Sequence, residues 1–129
     1  MVSILTNLIG FIGIKTSELD TLSAETCAYM SLVHPDYSKL ASRIEISNLH
    51  KETADCFLEV VETLSNVTDK VGRNGSLIHP EVIRVVKANK DKINQKLDYA
   101  RDFNYDFFGF KTLERSYLLK SDGKIVERP

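Results

Sequence analysis

The stretch TSELDTLSAETCAYMSLV at residues 16–33, followed by HPDYSKLASRIEISNLH at residues 34–50, predicts two helices separated by a sharp break. Pro35 disfavours a helical residue before it, so the first helix ends near Val33 and Asp36 is placed to cap the second. Apolar side chains recur at three- and four-residue spacing in both segments, as in helices that bury one face. These residues are Leu19, Leu22, Ala24, Cys27, Ala28 and Met30 in the first segment and Leu40, Ala41, Ile44 and Leu49 in the second.

The beginning of the first helix carries a capping signal. The Ser17 hydroxyl is expected to accept a hydrogen bond from a free backbone N–H, which is the role of an N-cap. Glu18 and Asp20 then lie in the first turn, where their negative charge faces the positive end of the helix dipole. With Ser17 as the cap, Asp20 occupies the third helical position, close to a capping box.

The rest of the chain predicts shorter helices and one hairpin. A third helix begins near Glu52, and residues 65–78 form a loop rich in Asn, Gly and Ser. Pro80 suits the first turn of the next helix. The Asp122-Gly123 pair supplies the positive-φ positions of a tight turn between two short strands. The predicted fold is therefore mainly α, a helical bundle with a small terminal β-hairpin.

Composition indicates an ordinary soluble domain. The chain has 129 residues, with 17 basic and 18 acidic side chains and a formal net charge of -1, so charge gives no case for nucleic-acid binding. Cys27 and Cys56 form no C-x-x-C pair, which indicates free thiols in a reducing cytosol that pack as small core residues. The histidines have no metal-ligand spacing, so no metal is expected.

The first 14 residues are apolar, with no basic residue before Lys15. This segment is shorter than the roughly 20 residues that span a bilayer, and it has no small-residue cleavage site. We expect a buried helix, with no membrane association. An uncovered apolar helix favours self-association, and both chain ends are expected to be cut from something larger.

Catalytic motifs are missing from the sequence. Gly10 and Gly13 form only a G-x-x-G, which matches neither a Walker loop nor a dinucleotide fingerprint. Other charged residues are interpreted as solvated helix surface or as weak surface ion pairs. These residues are Glu59 and Glu62, Lys87, Lys90, Lys92 and Lys96, and Asp98, Arg101 and Asp102.

One group of residues has the chemistry of a phosphate site. Thr16 and Asp20 lie one turn apart at a helix start, and Lys51 lies at the end of another helix. Free N–H groups at a helix N-terminus together with a nearby lysine hold phosphates, and Asp20 can accept from a sugar hydroxyl. Ordinary capping and surface charge explain the same residues, so the pattern alone leaves both interpretations open.

Longer motifs resemble the large subunit of eukaryotic ribonucleotide reductases. SNLHKET at residues 47–53 is similar to the helix that closes the ATP-cone of that family, as is ELDTLSAET at residues 18–26. The block YARDFNYDFFGFKTLERSYLLK at residues 99–120 resembles the segment that leads into the catalytic barrel. GKIVERP at residues 123–129 continues it, and the resemblance extends from about residue 8 to the end.

The resemblance implies a domain division and a function. Residues 1–53 would be a partial ATP-cone, and residues 54–129 a helical N-terminal domain that stops before the barrel. The family reduces ribonucleoside diphosphates to deoxyribonucleotides for DNA synthesis in the cytoplasm, as a thioredoxin-dependent oxidoreductase. Its radical comes from a separate small subunit. ATP and dATP act at the cone as allosteric effectors, switching activity through association with other large subunits.

The family's nucleotide contacts are carried over by position. Thr16 and Lys51 match residues that contact the regulatory nucleotide, and Asp20 matches the acid that distinguishes dATP from ATP. The family's initial β-element with its Lys-Arg-Asp/Asn-Gly motif, and the first helix, have no match here, which weakens the expected binding.

The catalytic cysteines of the family have no match either, so this chain alone is expected to reduce nothing. Neither Cys27 nor Cys56 corresponds to one of them. An alternative is a standalone interaction module that docks on full-length reductase subunits. A free ATP-cone regulator with a zinc ribbon is disfavoured, because the sequence has no four-cysteine pattern.

Overall fold

The computed structural model describes Gly13, residues 15–67 and residues 75–129. Within these ranges the chain forms six α-helices, two 3-10 helices and one antiparallel β-hairpin. The α-helices are α1 (Thr16–Tyr29), α2 (Asp36–Glu52), α3 (Phe57–Ser65), α4 (Pro80–Ala88), α5 (Lys90–Asn94) and α6 (Phe107–Ser116). The 3-10 helices are Met30–Leu32 and Tyr99–Asn104, and the strands are β1 (Lys120–Ser121) and β2 (Lys124–Ile125). The prediction of a mainly α fold with a small hairpin is confirmed.

Helices α1 and α2 form the predicted helical hairpin, but its two caps differ from the prediction. Helix α1 begins at Thr16 after an extended Lys15, whose carbonyl accepts from the Glu18 and Leu19 amides. Ser17 therefore lies inside the first turn, and its prediction as N-cap was wrong. Helix α2 begins at Asp36 itself, because Pro35 already has helical backbone angles.

Two clusters of the core each join residues of α2 and α6. One contains Ile46, Leu49, Phe110 and Leu118, with Leu113 and Ile125 packed against it. The other contains Ala24, Ala41 and Phe107, where the small alanines let α1 approach α2 closely. Phe107 and Phe110, both buried, thus supply the rings that pack α6 against α2.

A second layer is built by α3, α4 and α5. Val60, Val61 and Leu64 of α3 are buried, as their helical spacing predicts. Asn94 of α5 fixes the start of α3: its Oδ1 accepts from the Phe57 amide at 3.2 Å, and its Nδ2 donates to Cys56 Sγ at 3.4 Å. The Asn94 hydrogen bond lowers the pKa of the Cys56 thiol.

Both cysteines are free thiols within the fold. Cys56 is buried, and Cys27 packs partly buried against the cluster of Ala24 and Phe107. Their predicted role as small packing residues is confirmed.

The terminal hairpin follows the turn chemistry of its sequence. Asp122 and Gly123 have φ values of 51° and 78°, and Lys120 pairs with Ile125 in the antiparallel register. Two successive positive-φ residues define a type I′ turn, whose twist matches that of paired strands. The Asp-Gly prediction is confirmed, and Ile125 packs against the Phe110 cluster.

Two predictions lie partly or wholly outside the described residues. These are the buried helix before residue 15, of which only Gly13 is described, and residues 68–74 of the predicted loop. Among the helices in the described ranges, none has the length and apolar character needed to cross a bilayer.

Candidate functional site at the end of helix α2

The predicted phosphate-binding residues converge on one exposed face of the α1–α2 hairpin. Lys51 Nζ donates to Asp20 Oδ2 at 3.0 Å, joining the last turn of α2 to α1. The side chains are 63% and 32% exposed, so water reaches this ion pair. Thr16 is exposed at the first residue of α1, one turn before Asp20. The structure therefore pairs Asp20 with Lys51 and places Thr16 on the same side of α1 by its four-residue spacing.

This face combines three features that suit a phosphorylated ligand. The first turn of α1 presents backbone N–H groups without helical partners, at the positive end of the helix dipole. Lys51 adds a cation, and the Asp20 carboxylate is an acceptor for hydroxyl groups. Asn48 Nδ2 donates to the Ser17 carbonyl at 3.4 Å, which holds the first turn of α1 against α2. The relative position of the two helices is thus set by a contact beside the ion pair.

The side of the same α2 turn that carries His50 is buried. His50 Nε2 lies 2.7 Å from Asp102 Oδ2, and the two side chains are 18% and 5% exposed. The Tyr99 and Phe103 rings meet the imidazole edge-on, with centroids at 6.2 and 5.5 Å. The interpretation of Asp102 as part of a surface ion pair was wrong, because the 3-10 helix Tyr99–Asn104 turns this carboxylate inward.

Arg128 closes the carboxyl end of α2. Its Nη2 donates to the His50 carbonyl at 3.0 Å and to the Thr53 carbonyl at 2.8 Å, and its Nε donates to Thr53 Oγ1 at 3.1 Å. The last carbonyls of a helix have no partner within the helix, and a cation suits the negative end of its dipole. The guanidinium carbon lies 4.8 Å from the Tyr99 ring centroid. Burial raises the pKa of the Tyr99 phenol.

A third charged group lies between α2 and α6. Lys111 Nζ is 3.1 Å from Glu45 Oε1 and 2.8 Å from Glu114 Oε2, and Glu45 is buried. Desolvation raises the pKa of the Glu45 carboxyl, although Lys111 opposes the shift. Burial by itself lowers the pKa of Lys111, but the Glu114 and Glu45 carboxylates together raise it above its ordinary value.

An open cleft of about 610 Å³ runs beside Glu45, between the α1–α2 hairpin, α6 and the β-hairpin. Its wall carries five carboxylates, from Glu18, Glu25, Glu45, Glu52 and Glu114, and three cations, from Arg115, Lys120 and Lys124, so acidic groups outnumber basic ones. Carboxylates repel phosphate groups. We therefore assign the candidate phosphate site to the exposed face of Asp20 and Lys51 instead of this cleft.

Two of the residues interpreted as solvated surface, Lys87 and Glu62, contact each other. Lys87 Nζ pairs with Glu62 Oε1 at 2.9 Å between α4 and α3, with both side chains largely exposed. The predicted solvated faces on these helices are thus joined by an ion pair. Within the described ranges, no three or more His, Cys, Asp or Glu side chains gather as metal ligands would.

Comparison with known proteins places the chain among reductase subunits. No protein-family model matches it. It is 58% identical over 117 residues to the ribonucleoside-diphosphate reductase large subunit of Plasmodium falciparum (isolate Dd2), covering 91% of this chain and 14% of that protein. It is 52% identical over 118 residues to large chain 2 of the Saccharomyces cerevisiae enzyme, covering 91% of this chain and 14% of the relative. For the Danio rerio large subunit the identity is 55% over 118 residues, covering 91% and 15%.

The chain belongs to the family of ribonucleoside-diphosphate reductase large subunits, and the family resemblance of its sequence is confirmed. It matches the N-terminal region of these relatives and spans only 14 to 15% of their length. In each of these relatives the matched region is therefore a small part of a much longer protein.

Proposed function

We propose that this chain is an N-terminal regulatory portion of a ribonucleoside-diphosphate reductase large subunit, and that Thr16, Asp20 and Lys51 bind ATP or dATP as an allosteric effector. Residues 1–53 correspond to part of an ATP-cone, and residues 54–129 to the helical domain that follows it. The observation that carries the proposal is the 3.0 Å pair between Lys51 and Asp20, beside the N-terminus of α1. Residues 31 positions apart thereby meet at the end of a helix dipole.

Each residue has a role that its chemistry supports. Lys51 attracts the phosphates as a point charge, together with the free N–H groups of the first α1 turn. The Thr16 hydroxyl lies at that turn and donates or accepts. Asp20 accepts a hydrogen bond from a ribose hydroxyl, and ATP and dATP differ in the ribose 2′-hydroxyl. The carboxylate therefore gives the two nucleotides different contacts, which allosteric control requires.

The whole protein, in this proposal, reduces ribonucleoside diphosphates to deoxyribonucleotides for DNA synthesis. Its partners are the small, radical-generating subunit and other large subunits in the cytoplasm, with no nucleic acid or membrane involved. This chain regulates and does not catalyse, because neither Cys27 nor Cys56 matches a redox cysteine of the family. The purified chain is expected to reduce no diphosphate, measured as deoxynucleotide formed with a dithiol reductant and added small subunit.

Calorimetric titration of the chain with ATP tests the site directly. Lys51→Ala is expected to weaken ATP affinity at least tenfold, because one charge-assisted contact of about 1.5–3 kcal/mol is removed. Lys87→Ala is the matched control, since Lys87 also forms an exposed ion pair with a carboxylate of another helix. It should leave the affinity within twofold. Equal effects of the two substitutions, or no ATP binding by the unchanged chain, would contradict the proposal.

Asp20→Asn tests nucleotide discrimination separately. The amide keeps the shape of the side chain but loses the negative charge that favours a hydroxyl donor. The ratio of the ATP and dATP dissociation constants is expected to change severalfold, with smaller changes in their mean. An unchanged ratio would remove Asp20 from the discriminating role.

An exposed apolar surface favours a second candidate function. Tyr29, the last residue of α1, is 83% exposed, and Leu32 and Val33 just beyond it are 96 and 77% exposed. Exposed apolar patches mark interaction sites, so the chain would act as an interaction module that docks on full-length reductase large subunits. Co-purification with a full-length subunit, lost on Leu32→Ser but kept on Lys51→Ala, would support docking independent of nucleotide. Capture unaffected by Leu32→Ser would count against this surface.

A further inference from the structure

We propose that Arg128 and the His50–Asp102 pair are positioning residues for the regulatory nucleotide: from the buried side they hold the α2 turn that presents Lys51. This inference rests on the proposed function and adds to it a dependence on residues 99–128. None of these positioning side chains lies on the exposed face where the nucleotide is proposed to bind.

His50 and Lys51 are neighbours in the sequence. They share the last turn of α2 and point to different sides, His50 toward Asp102 and Lys51 toward Asp20. A helical turn is a rigid unit only while its hydrogen bonds hold, and the last turn has the fewest. The direction of Lys51 therefore depends on what holds the end of α2.

Arg128 supplies the hydrogen bonds that the end of α2 lacks. Three donations from one guanidinium reach the His50 carbonyl, the Thr53 carbonyl and the Thr53 hydroxyl, at 3.0, 2.8 and 3.1 Å. The Thr53 hydroxyl in turn donates to the Leu49 carbonyl at 2.7 Å. Residues 49–53 are thus tied together around one planar fork, a geometry that lysine cannot reproduce.

The His50–Asp102 pair is the second contact that holds the end of α2 in place. Its 2.7 Å distance and its burial make it a strong polar contact across 52 residues. Tyr99 connects the Arg128 hydrogen bonds with the His50–Asp102 pair, because its ring lies against both the imidazole and the Arg128 guanidinium. The 3-10 helix Tyr99–Asn104 and Arg128 therefore act on the same turn.

Nucleotide binding and the Arg128 contacts are linked thermodynamically, so each affects the other. If the Arg128 hydrogen bonds stabilise the conformation of the α2 end that binds nucleotide, they raise the affinity for nucleotide by some factor. Bound nucleotide must then stabilise the Arg128 hydrogen bonds by the same factor. The effect of ATP or dATP is then passed from the exposed face to residues 99–104 and 128 through a single helical turn. In one proposed state the contacts of Arg128 and Asp102 hold the end of α2. In the other state these contacts are weakened.

The test is calorimetric titration of the full 129-residue chain with ATP. Arg128→Gln is expected to weaken ATP affinity about three- to tenfold, although Arg128 touches no nucleotide. Arg128→Lys separates positioning from charge: it should also weaken affinity at least twofold, whereas a charge effect alone would leave it unchanged. Arg84→Gln is the control, because Arg84 is an exposed arginine of α4 that pairs with Glu81.

Amide hydrogen exchange with and without ATP gives a readout that affinity alone does not. In the unchanged chain, ATP should slow exchange at residues 49–53 and at residues 99–104 on the buried side. In Arg128→Gln the slowing at residues 99–104 should be lost. Asp102→Asn provides a second variant if Arg128→Gln fails to fold, with an expected two- to fivefold loss of affinity.

The outcomes separate the two proposals. No ATP binding by the unchanged chain overturns both the proposed function and this inference. The inference alone is overturned if Lys51→Ala abolishes ATP binding while Arg128→Gln, Asp102→Asn and Arg84→Gln all have the same ATP affinity. Weakening by Arg128→Gln with Arg128→Lys like the unchanged chain also overturns it, because charge would then suffice.

Discussion

The two sides of the last α2 turn differ in burial and in the number of bonds that hold them. On one side, Lys51 reaches Asp20 through a single ion pair with a largely exposed lysine. On the other, His50 is enclosed by aromatic rings and paired with Asp102, and its carbonyl is bound by Arg128. The buried side stabilises the fold, whereas a solvated ion pair contributes little. The exposed side is therefore free to exchange its internal pair for contacts with a ligand.

The two sides of this turn should respond differently to substitution. Changes in the buried layer should alter the free energy of unfolding strongly. Changes at the exposed pair should alter ligand affinity with little change in stability. A substitution at the exposed pair that lowered the free energy of unfolding as much as one in the buried layer would contradict the division.

The largest effect on the free energy of unfolding is expected in the hydrophobic core, at Phe110. Phe110 is fully buried in the cluster of Ile46, Leu49 and Leu118. Phe110→Ala should lower the free energy of unfolding by about 3–5 kcal/mol, from lost burial and a residual cavity. Phe108→Ala is the control, because that ring is 70% exposed, and it should cost under about 0.5 kcal/mol. Urea denaturation measures both, and similar losses would contradict the assigned packing.

The next effect is expected at the buried carboxylate. Asp102→Asn keeps the shape but removes the charge that accepts from His50, so the free energy of unfolding should fall by about 1–3 kcal/mol. Asp91→Asn, an exposed residue of α5, should change it by less than about 0.5 kcal/mol. If thermal unfolding showed Asp102→Asn as mild as the control, the His50 pair would not stabilise the buried side.

A pH dependence is expected at Glu45, on the part of α2 that faces α6. Because desolvation raises its pKa above the ordinary 4.5, the folded chain holds this proton to higher pH than the unfolded chain. The contribution is fully present below about pH 4.5 and is lost as pH rises through the folded pKa. Glu45→Gln removes this dependence. The stability advantage of the unchanged chain over Glu45→Gln should therefore shrink from pH 4 to pH 7, and an advantage that grew would reverse the assigned sign.

The smallest stability effect is expected at the exposed pair. Lys51→Ala should lower the free energy of unfolding by less than about 1 kcal/mol, as should Lys87→Ala. The two variants should differ in ATP affinity but hardly in stability. A loss above about 2 kcal/mol for Lys51→Ala in urea denaturation would place Lys51 among the structural residues.

The local features of the fold could be predicted from the sequence. The break at Pro35, the first-turn position of Pro80 and the Asp122-Gly123 turn each follow from backbone preferences of those residues. The exact helix starts could not, since Lys15 and Pro35 take the N-cap positions without a side-chain hydrogen bond. Backbone angles, not cap propensity, decided those positions.

The sequence predicts the residues on the exposed side of the α2 end better than those on its buried side. The group of Thr16, Asp20 and Lys51 was found from helix ends and from family resemblance. The sequence places Asp102 on the surface and gives no local sign of the role of Arg128. Their contacts to α2 span 52 to 78 residues, and local periodicity does not record such distances. The only available signal was charge and aromatic density in residues 99–110.

Titration of the isotope-labelled chain with ATP, followed by amide NMR spectra, tests the central claim most directly. The claim predicts that the largest shifts fall in the first turn of α1 and the last turn of α2, at Thr16, Asp20 and Lys51. Smaller shifts should reach residues 99–104. Spectra that do not change with ATP, or changes confined to the cleft beside Glu45, would contradict it.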